Sequence, residues 1–216
     1  MSQRHTPYAS SKEPLDNRSS IGNQVYDTEL VQRVVYHPIQ DRVVEHLRRA
    51  GRRRVLDVGC GTGILATRIR DELEPDVVYG CDLSAGMLAQ AEARSSGVHW
   101  LNSRAECLPL RAGAVDTVVS SAAFHFFDQR AALAEFHRVL SPGGFIVIAV
   151  PSPFTPAGSQ ILASGMRPLG TARFPTQGEM RRQVEASGFT VVTRDRAGGL
   201  RRVVDPTVVT VAVRSD

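Results

Sequence analysis

The apolar residues of this chain follow two different rhythms, and the change between them divides it. Residues 24–50, QVYDTELVQRVVYHPIQDRVVEHLRRA, place apolar side chains at the three- and four-residue spacing of a helix that faces a core. Pro38 lies inside this run and predicts either two helices or a helix that starts at the proline. Gly51 ends it. From residue 54 onward, short continuous apolar runs alternate with helical stretches. Strands are predicted at 54–58 (RVLDV), 76–81 (DVVYGC), 98–103 (VHWLNS), 114–121 (AVDTVVSS) and 145–150 (FIVIAV), the last entered through the PGG turn at 142–144. Helices are predicted at 62–73, at 84–94 with Ser84 as N-cap, and at 129–140. Strands without polar alternation, each followed by a helix, argue for a parallel sheet covered on both faces.

The last third reads differently. Residues 151–175 are rich in proline and glycine and show little periodicity, which predicts an irregular insert. Residues 176–188 form a helix opened by a Thr176–Glu179 capping box and stopped by Gly188. Two further strands, 189–195 and 208–214, have no helix between them and should pair antiparallel. The expected fold is therefore α/β. It is a Rossmann-like, doubly wound, seven-stranded sheet, mostly parallel, with an antiparallel final strand and helices on both faces. Residues 1–20 are polar and predict a flexible arm. Residues 21–216 read as one domain, with 24–50 as an N-terminal helical lid and 151–175 as a substrate-side insert.

Composition narrows the function classes. The 216 residues carry a net charge of +4, nearly all of the positive charge being arginine, with Lys12 the single lysine. The arginines are dispersed rather than gathered into a stripe, which argues against nucleic acid as partner. No apolar run approaches the ~20 residues of a membrane helix, and the N-terminus lacks the apolar stretch of a signal peptide. Cys60, Cys81 and Cys107 form no C-x-x-C pair, so neither a zinc site nor a redox motif is expected. A cytoplasmic location, reduced thiols and a monomer or homodimer follow as expectations.

The stretch RRRVLDVGCGTGILATRI, residues 52–69, carries the chemistry. Gly59, Gly61 and Gly63 sit between a strand and a helix, where positive φ and close backbone approach are needed. The spacing G-x-G-x-G differs from the dinucleotide pattern, and no G-K-[ST] follows to make a P-loop. Asp57 stands two residues before the first glycine, where it repels pyrophosphate and attracts a cation. Asp82 ends the second strand, where one carboxylate suits a ribose diol. A nucleoside with an amino-acid tail, such as S-adenosylmethionine (SAM), meets both demands.

These motifs resemble the class I SAM-dependent methyltransferases, in particular the small type 11 methyltransferase domain. VLDVGCGTG is similar to the family's first motif. GCDLSAGMLAQAEAR, AECLPLRAGAVDTVVSSAAFHFFD and EFHRVLSPGGFIVIAV resemble the later ones in order, across roughly residues 52–150. The resemblance implies that Gly59, Gly61 and Gly63 form the turn under the methionine part and that Asp57 helps fix its ammonium. It implies that Asp82 binds the ribose hydroxyls, Leu83 packs on adenine and the Ala105 amide meets the adenine edge. Backbone near Ser120 would hold the ammonium, and Tyr26 would close over the cofactor. One position departs from the family: Arg104 stands where an acid often accepts from the adenine amino group, so Glu106 is the substitute considered.

For the chemical step, His125 in AAFHFFD follows the fourth strand at the carboxyl edge of the sheet, where an imidazole can take a proton from a hydroxyl. The competing reading is that it shapes the pocket. His37 is a second candidate from the lid. Some hydroxyl methyltransferases orient their acceptor with magnesium; Asp128 is the side chain considered for it, without a carboxylate cluster in support. Asp116 reads as structural. Arg167 and Arg173 of the insert read either as solvated loop charges or as contacts to an acidic acceptor. The expected function is in-line methyl transfer from SAM to a small-molecule hydroxyl oxygen, of sugar or natural-product type. The alternatives are nitrogen or carbon methylation, a non-catalytic SAM-binding regulatory subunit and, least fitting, a nicotinamide-dependent dehydrogenase.

Overall fold

In the computed structural model, which describes residues 36–51, 53–152, 172–196 and 207–215, the alternating pattern becomes a seven-stranded sheet. The strands are β1 (Arg54–Val58), β2 (Val77–Asp82), β3 (His99–Asn102), β4 (Val115–Ser121), β5 (Leu140–Pro151), β6 (Phe189–Arg196) and β7 (Thr207–Arg214). Their order is β3-β2-β1-β4-β5-β7-β6. The first five are parallel, and β7 runs antiparallel between β5 and β6. The chain winds outward from β1 to β3, then returns to the other side of β1 with β4. The carboxyl ends of β1 and β4 therefore flank a topological switch point, the place where open α/β sheets bind ligands.

Alternation along each strand sorts the core into two layers. Leu56, Val58, Val118, Ile146 and Ile148 face one side, where α4 (Gln129–Val139) and α5 (Gln177–Ala186) bury Leu133, Phe136, Met180 and Val184. Val55, Val119, Phe145 and Val147 face the other. There α1 (His37–Ala50) and α2 (Ile64–Leu73) supply Val43, Leu47, Leu65 and Ile69, and α3 (Ala85–Arg94) packs beside α2 over β2 and β3. Asp57 has the parity of Val55, so its side chain points to the α2 layer.

The expected helix boundaries hold with informative exceptions. Pro38 occupies the first turn of α1, where its missing N–H costs nothing, and Gly51 closes that helix at φ 59°. The described part of the expected lid is a core element: Val43 is fully buried, and α1 packs on α2, β4, β5 and β7. The Thr176–Glu179 capping box is present. The PGG segment does not turn into β5 but lies within it. Val115 pairs with Leu140 and Thr117 with Phe145, so 141–144 loop out of register as an irregularity in the strand. The arm 1–20, residues 24–35 of the expected lid, Tyr26, Arg167 and positions 153–171 of the insert lie outside the described residues.

Candidate active site

The three glycines after β1 all have positive φ, 74°, 56° and 78° at Gly59, Gly61 and Gly63, but two are glycine for a second reason. A Cβ at Gly59 would run into the Ala123 side chain and the Phe127 ring. One at Gly63 would run into Trp100 and Ala91. At Gly61 nothing lies within 4 Å of that position. The turn is thus pressed against protein at both ends and open in the middle, where a ligand can lie against the backbone. Its amides are not a phosphate cradle. Those of Gly59 and Cys60 donate to the Cys81 carbonyl at 2.8 and 3.1 Å, that of Gly63 donates to Cys60, and that of Gly61 donates to Asp82 Oδ2 at 2.9 Å.

Asp82 therefore ties the turn to the end of β2. Its Oδ1 accepts from the Ser84 amide at 2.9 Å, just before Ser84 caps α3 through the Met87 amide. Two backbone donors orient the carboxylate, and further lone pairs remain for a diol. Beside it, Leu83 is 64% exposed, a large apolar side chain held out at the sheet edge, with its carbonyl fixed by Asn102 Nδ2 at 3.0 Å.

Asp57 is the contrast. It is 2% exposed, and its Oδ2 has no hydrogen-bond partner. The Ala66 backbone amide, an orphan donor in the first turn of α2, hydrogen-bonds to the carboxyl. Burial, aided by the negative charge of Asp82 and opposed by that Ala66 bond, pushes its pKa up to about 7. Asp57 and Asp82 are thus near enough to repel, with Asp57 paired across to Gly80 of β2 and Val119 of β4. An ammonium group would satisfy the free oxygen and draw that pKa down again. Cys60 and Cys81, buried beside these acids, are inert thiols; burial and the nearby carboxylates raise both, Cys81 to about 12.

The tip of β4 carries a second set of polar atoms. Ser120 is fully buried and its Oγ lacks a partner. Ala122 adopts φ 56°, an uncommon conformation for a non-glycine residue, held by its amide bond to the Ala149 carbonyl at 2.8 Å. This bend brings Ala123 over Gly59 and starts a single 3₁₀ turn, Phe124–Phe126, which holds His125. The imidazole is 3% exposed, stacks on Phe174 at 4.5 Å and packs against Phe126 at 4.1 Å. Neither ring nitrogen has a partner, and burial pulls its pKa down to about 4. His125 is therefore neutral at pH 7, with an unengaged acceptor nitrogen.

The other expected residues divide. Ala105 is buried in the turn after β3. Glu106 is occupied: its Oε1 accepts from the Asp128 amide at 2.8 Å, and Oε2 lies 3.2 Å from Arg104 Nε. It bridges the loop after β3 to the N-terminus of α4, so both oxygens of the carboxylate expected to meet adenine already have a partner within the protein. Arg104, the departure from the family pattern, is its ion-pair partner. His37 is exposed at the first residue of α1, and no described contact joins it to His125 or the acids. Asp116 is structural, accepting from the Arg53 and Arg54 amides at the opposite end of the strands. Asp128 caps α4 through the Ala131 amide, and no group of metal-ligating side chains is gathered among the described residues, so magnesium gains no support. No described helix is long and apolar enough to cross a membrane.

Sequence reasoning passed over Trp100, whose ring lies against both Gly63 and Gly80 and whose Nε1 donates to the Ser95 carbonyl at 3.1 Å. The signal was the glycine in VVYGCD: a strand glycine marks a close approach.

Comparison with known proteins gives the family. Residues 56–148 match the methyltransferase domain family. The ubiquinone/menaquinone biosynthesis C-methyltransferase of Syntrophotalea carbinolica is 31% identical over 183 residues, 73% of this chain and 77% of that protein. The chain belongs to the class I SAM-dependent methyltransferases. It is also 40% identical to the demethylmenaquinone methyltransferase of Thermus thermophilus over 101 residues, 44% of this chain and 46% of that one. A malonyl-[acyl-carrier protein] O-methyltransferase of Hahella chejuensis is 38% identical over 43% of this chain and 34% of its own length. The chain thus spans half or less of these last two relatives. Among solved structures, a SAM-dependent methyltransferase from Mesorhizobium loti has the same fold, with a TM-score of 0.66 and 24% identity over 81% of this chain and all of that one. The family's cofactor fits what is present here: an orphaned buried carboxylate oxygen for an ammonium, an open glycine backbone beside it and an oriented carboxylate with an exposed leucine for a nucleoside.

Proposed function

We propose that this chain transfers a methyl group from SAM to a hydroxyl oxygen of a small-molecule acceptor. The observation that carries the oxygen reading is His125: a buried, neutral imidazole with both nitrogens unpartnered, directly after the strand that flanks the switch point. Asp57 would take the ammonium of the cofactor, Asp82 its ribose hydroxyls and Leu83 the adenine face. When bound, SAM would supply a methyl group on a sulfonium whose sulfur leaves with the C–S bonding pair as the neutral thioether SAH. What remains for the protein is alignment and a dry pocket, which lower the barrier without new covalent chemistry. As the acceptor oxygen gains the methyl group it must lose its proton, and His125 receives it at a ring nitrogen. Such a base contributes roughly 10²–10⁴-fold.

Two measurements test this in sequence. Calorimetric titration with S-adenosylhomocysteine (SAH) is expected to show saturable binding; no heat would end the methyltransferase reading. Transfer of labelled methyl from SAM is then followed over hydroxyl, amine and carbon-acid acceptors. A His125→Phe variant is expected to keep its SAH affinity within twofold and lose at least a hundredfold in kcat on hydroxyls; an unchanged kcat would remove the base. The C-methyltransferase relative favours a second reading, methylation at carbon, which the position of the label in the product separates from the first.

A further inference from the structure

A cavity of about 650 Å³ opens beside the candidate active site, where the N-terminus of α4 meets α5. Phe127 is common to both: its ring lines the cavity and also abuts the Gly59 backbone. Two arginines, Arg130 and Arg173, line the cavity, against one acidic residue, Asp128. The Asp128 carboxylate is turned to the Ala131 amide, and among the described residues neither arginine is within ion-pair distance of an acid. At longer range Arg173 adds to the Thr176 hydrogen bonds that hold the carboxyl of Glu179, at the start of α5, low. Arg173 is exposed, but its backbone is fixed. Its amide donates to the His125 carbonyl at 2.8 Å, and its carbonyl accepts from Gln129 Nε2 at 2.7 Å, so the backbone from which the side chain springs is held on both sides.

The polar lining has a second feature. Gln129 is 95% buried (5% exposed), and its Oε1 has no partner; the Oε1 of Gln183, across the cavity on α5, has none either. A buried carbonyl without a donor carries a desolvation cost, which a ligand O–H or N–H removes. Two arginines on one cavity wall, the positive end of α4 and two unpartnered acceptors together describe an anion that also carries a hydrogen-bond donor.

We propose that this cavity holds an anionic end of the methyl acceptor, a carboxylate or a phosphate, between Arg130 and Arg173, with the reacting end directed past Phe127 toward the glycine turn. The proposal rests on the methyltransferase reading and gives it a substrate class. The test uses the intact chain and three probes: malonate, inorganic phosphate and the neutral isostere malonamide. Side-chain NMR signals of Arg130, Arg173 and Gln129 are followed during each titration, in the wild type and in an Arg130→Gln/Arg173→Gln variant. At least one anion is expected to shift these signals saturably and malonamide not to; preference for malonate or phosphate identifies the anion. The double variant is expected to lose at least tenfold in anion affinity while binding SAH within twofold of wild type, which also shows that it folds. Equal shifts with malonamide, no shift with either anion, or undiminished anion binding by the variant would overturn the proposal. SAH binding without anion binding sinks this inference alone; absent SAH binding sinks the reading beneath it.

Discussion

The tips of β1 and β4 lie side by side at one edge of the sheet, yet their polar groups are prepared in opposite ways. At β1, the amides of Gly59, Cys60, Gly61 and Gly63 all have acceptors, and Asp82 is oriented by two of the local backbone donors. At β4, Ser120 Oγ and both nitrogens of His125 are buried with none. The first region is a scaffold whose turn amides are all engaged, with one unpartnered carboxylate oxygen, that of Asp57. The second is a set of buried polar side-chain atoms without hydrogen-bond partners. Rigid backbone placement suits a cofactor common to a family, while unfilled side-chain capacity suits an acceptor that differs from enzyme to enzyme.

The largest expected effect comes from filling the scaffold. Gly59→Ala or Gly63→Ala adds a Cβ that collides with a packed side chain and imposes a strained positive φ. Each should lower unfolding free energy in urea by about 2–4 kcal/mol. Gly61→Ala meets open space and should cost only about 1 kcal/mol, yet weaken SAH binding at least tenfold. Equal destabilisation by all three would erase the distinction between the packed ends and the open middle of the turn.

Asp57 and His125 give the next contrast, because burial drives both toward their neutral forms and links them to pH with opposite sign. The raised carboxyl of Asp57 contributes stability that is whole below about pH 4 and is lost as pH rises through about 7. Asp57→Asn should therefore remove a decline of a few kcal/mol between those limits and leave the free protein more stable at pH 8, while costing at least tenfold in SAH affinity. In the wild type, SAH affinity should itself rise as pH passes through about 7, since the ammonium binds the ionised form.

The depressed imidazole of His125 contributes stability that is present above its unfolded pKa near 6.5 and is lost as pH falls toward 4. His125→Phe should flatten that acid limb by about 1–3 kcal/mol without altering the limb near pH 7. Thermal unfolding across pH 4–8 for the two variants checks both; identical pH profiles for the two would contradict the assignment. The smallest effect is expected at Glu106→Gln, which weakens the bond from the Asp128 amide and the pairing with Arg104. A loss of about 0.5–1.5 kcal/mol with SAH affinity within threefold is predicted. A fall of tenfold or more would return Glu106 to the adenine site.

Much of the frame was legible because its signals are local. Short apolar runs such as FIVIAV cannot hide one face from water, so they read as strands in a covered sheet, and the Thr176–Glu179 capping box needs only four residues. The glycine turn was legible as a strand-to-helix bend beside an acid because Asp57 and the G-x-G-x-G spacing sit within seven positions. The 3₁₀ turn at 124–126 and the loop-out at 141–144 were not legible. Each depends on how the chain is strained or paired at a distance, by Ala149 under Ala122 and by β4 beside β5. Nor was the engagement of Glu106, since its partner, the Asp128 amide, lies 22 residues away.

The amino-acid order alone determined the type and sequence of the elements, the acids at two strand tips and the bend between them, because hydrophobic period, capping and glycine freedom act over a few residues. Only the tertiary structure decided which glycines touch protein and which stands open, that Asp57 and His125 are both dry enough to lose their charge at neutral pH or near it, and that Arg130 and Arg173 line one cavity. Desolvation and steric contact are set by whatever lies within a few ångströms in space, and that is fixed when distant segments pack.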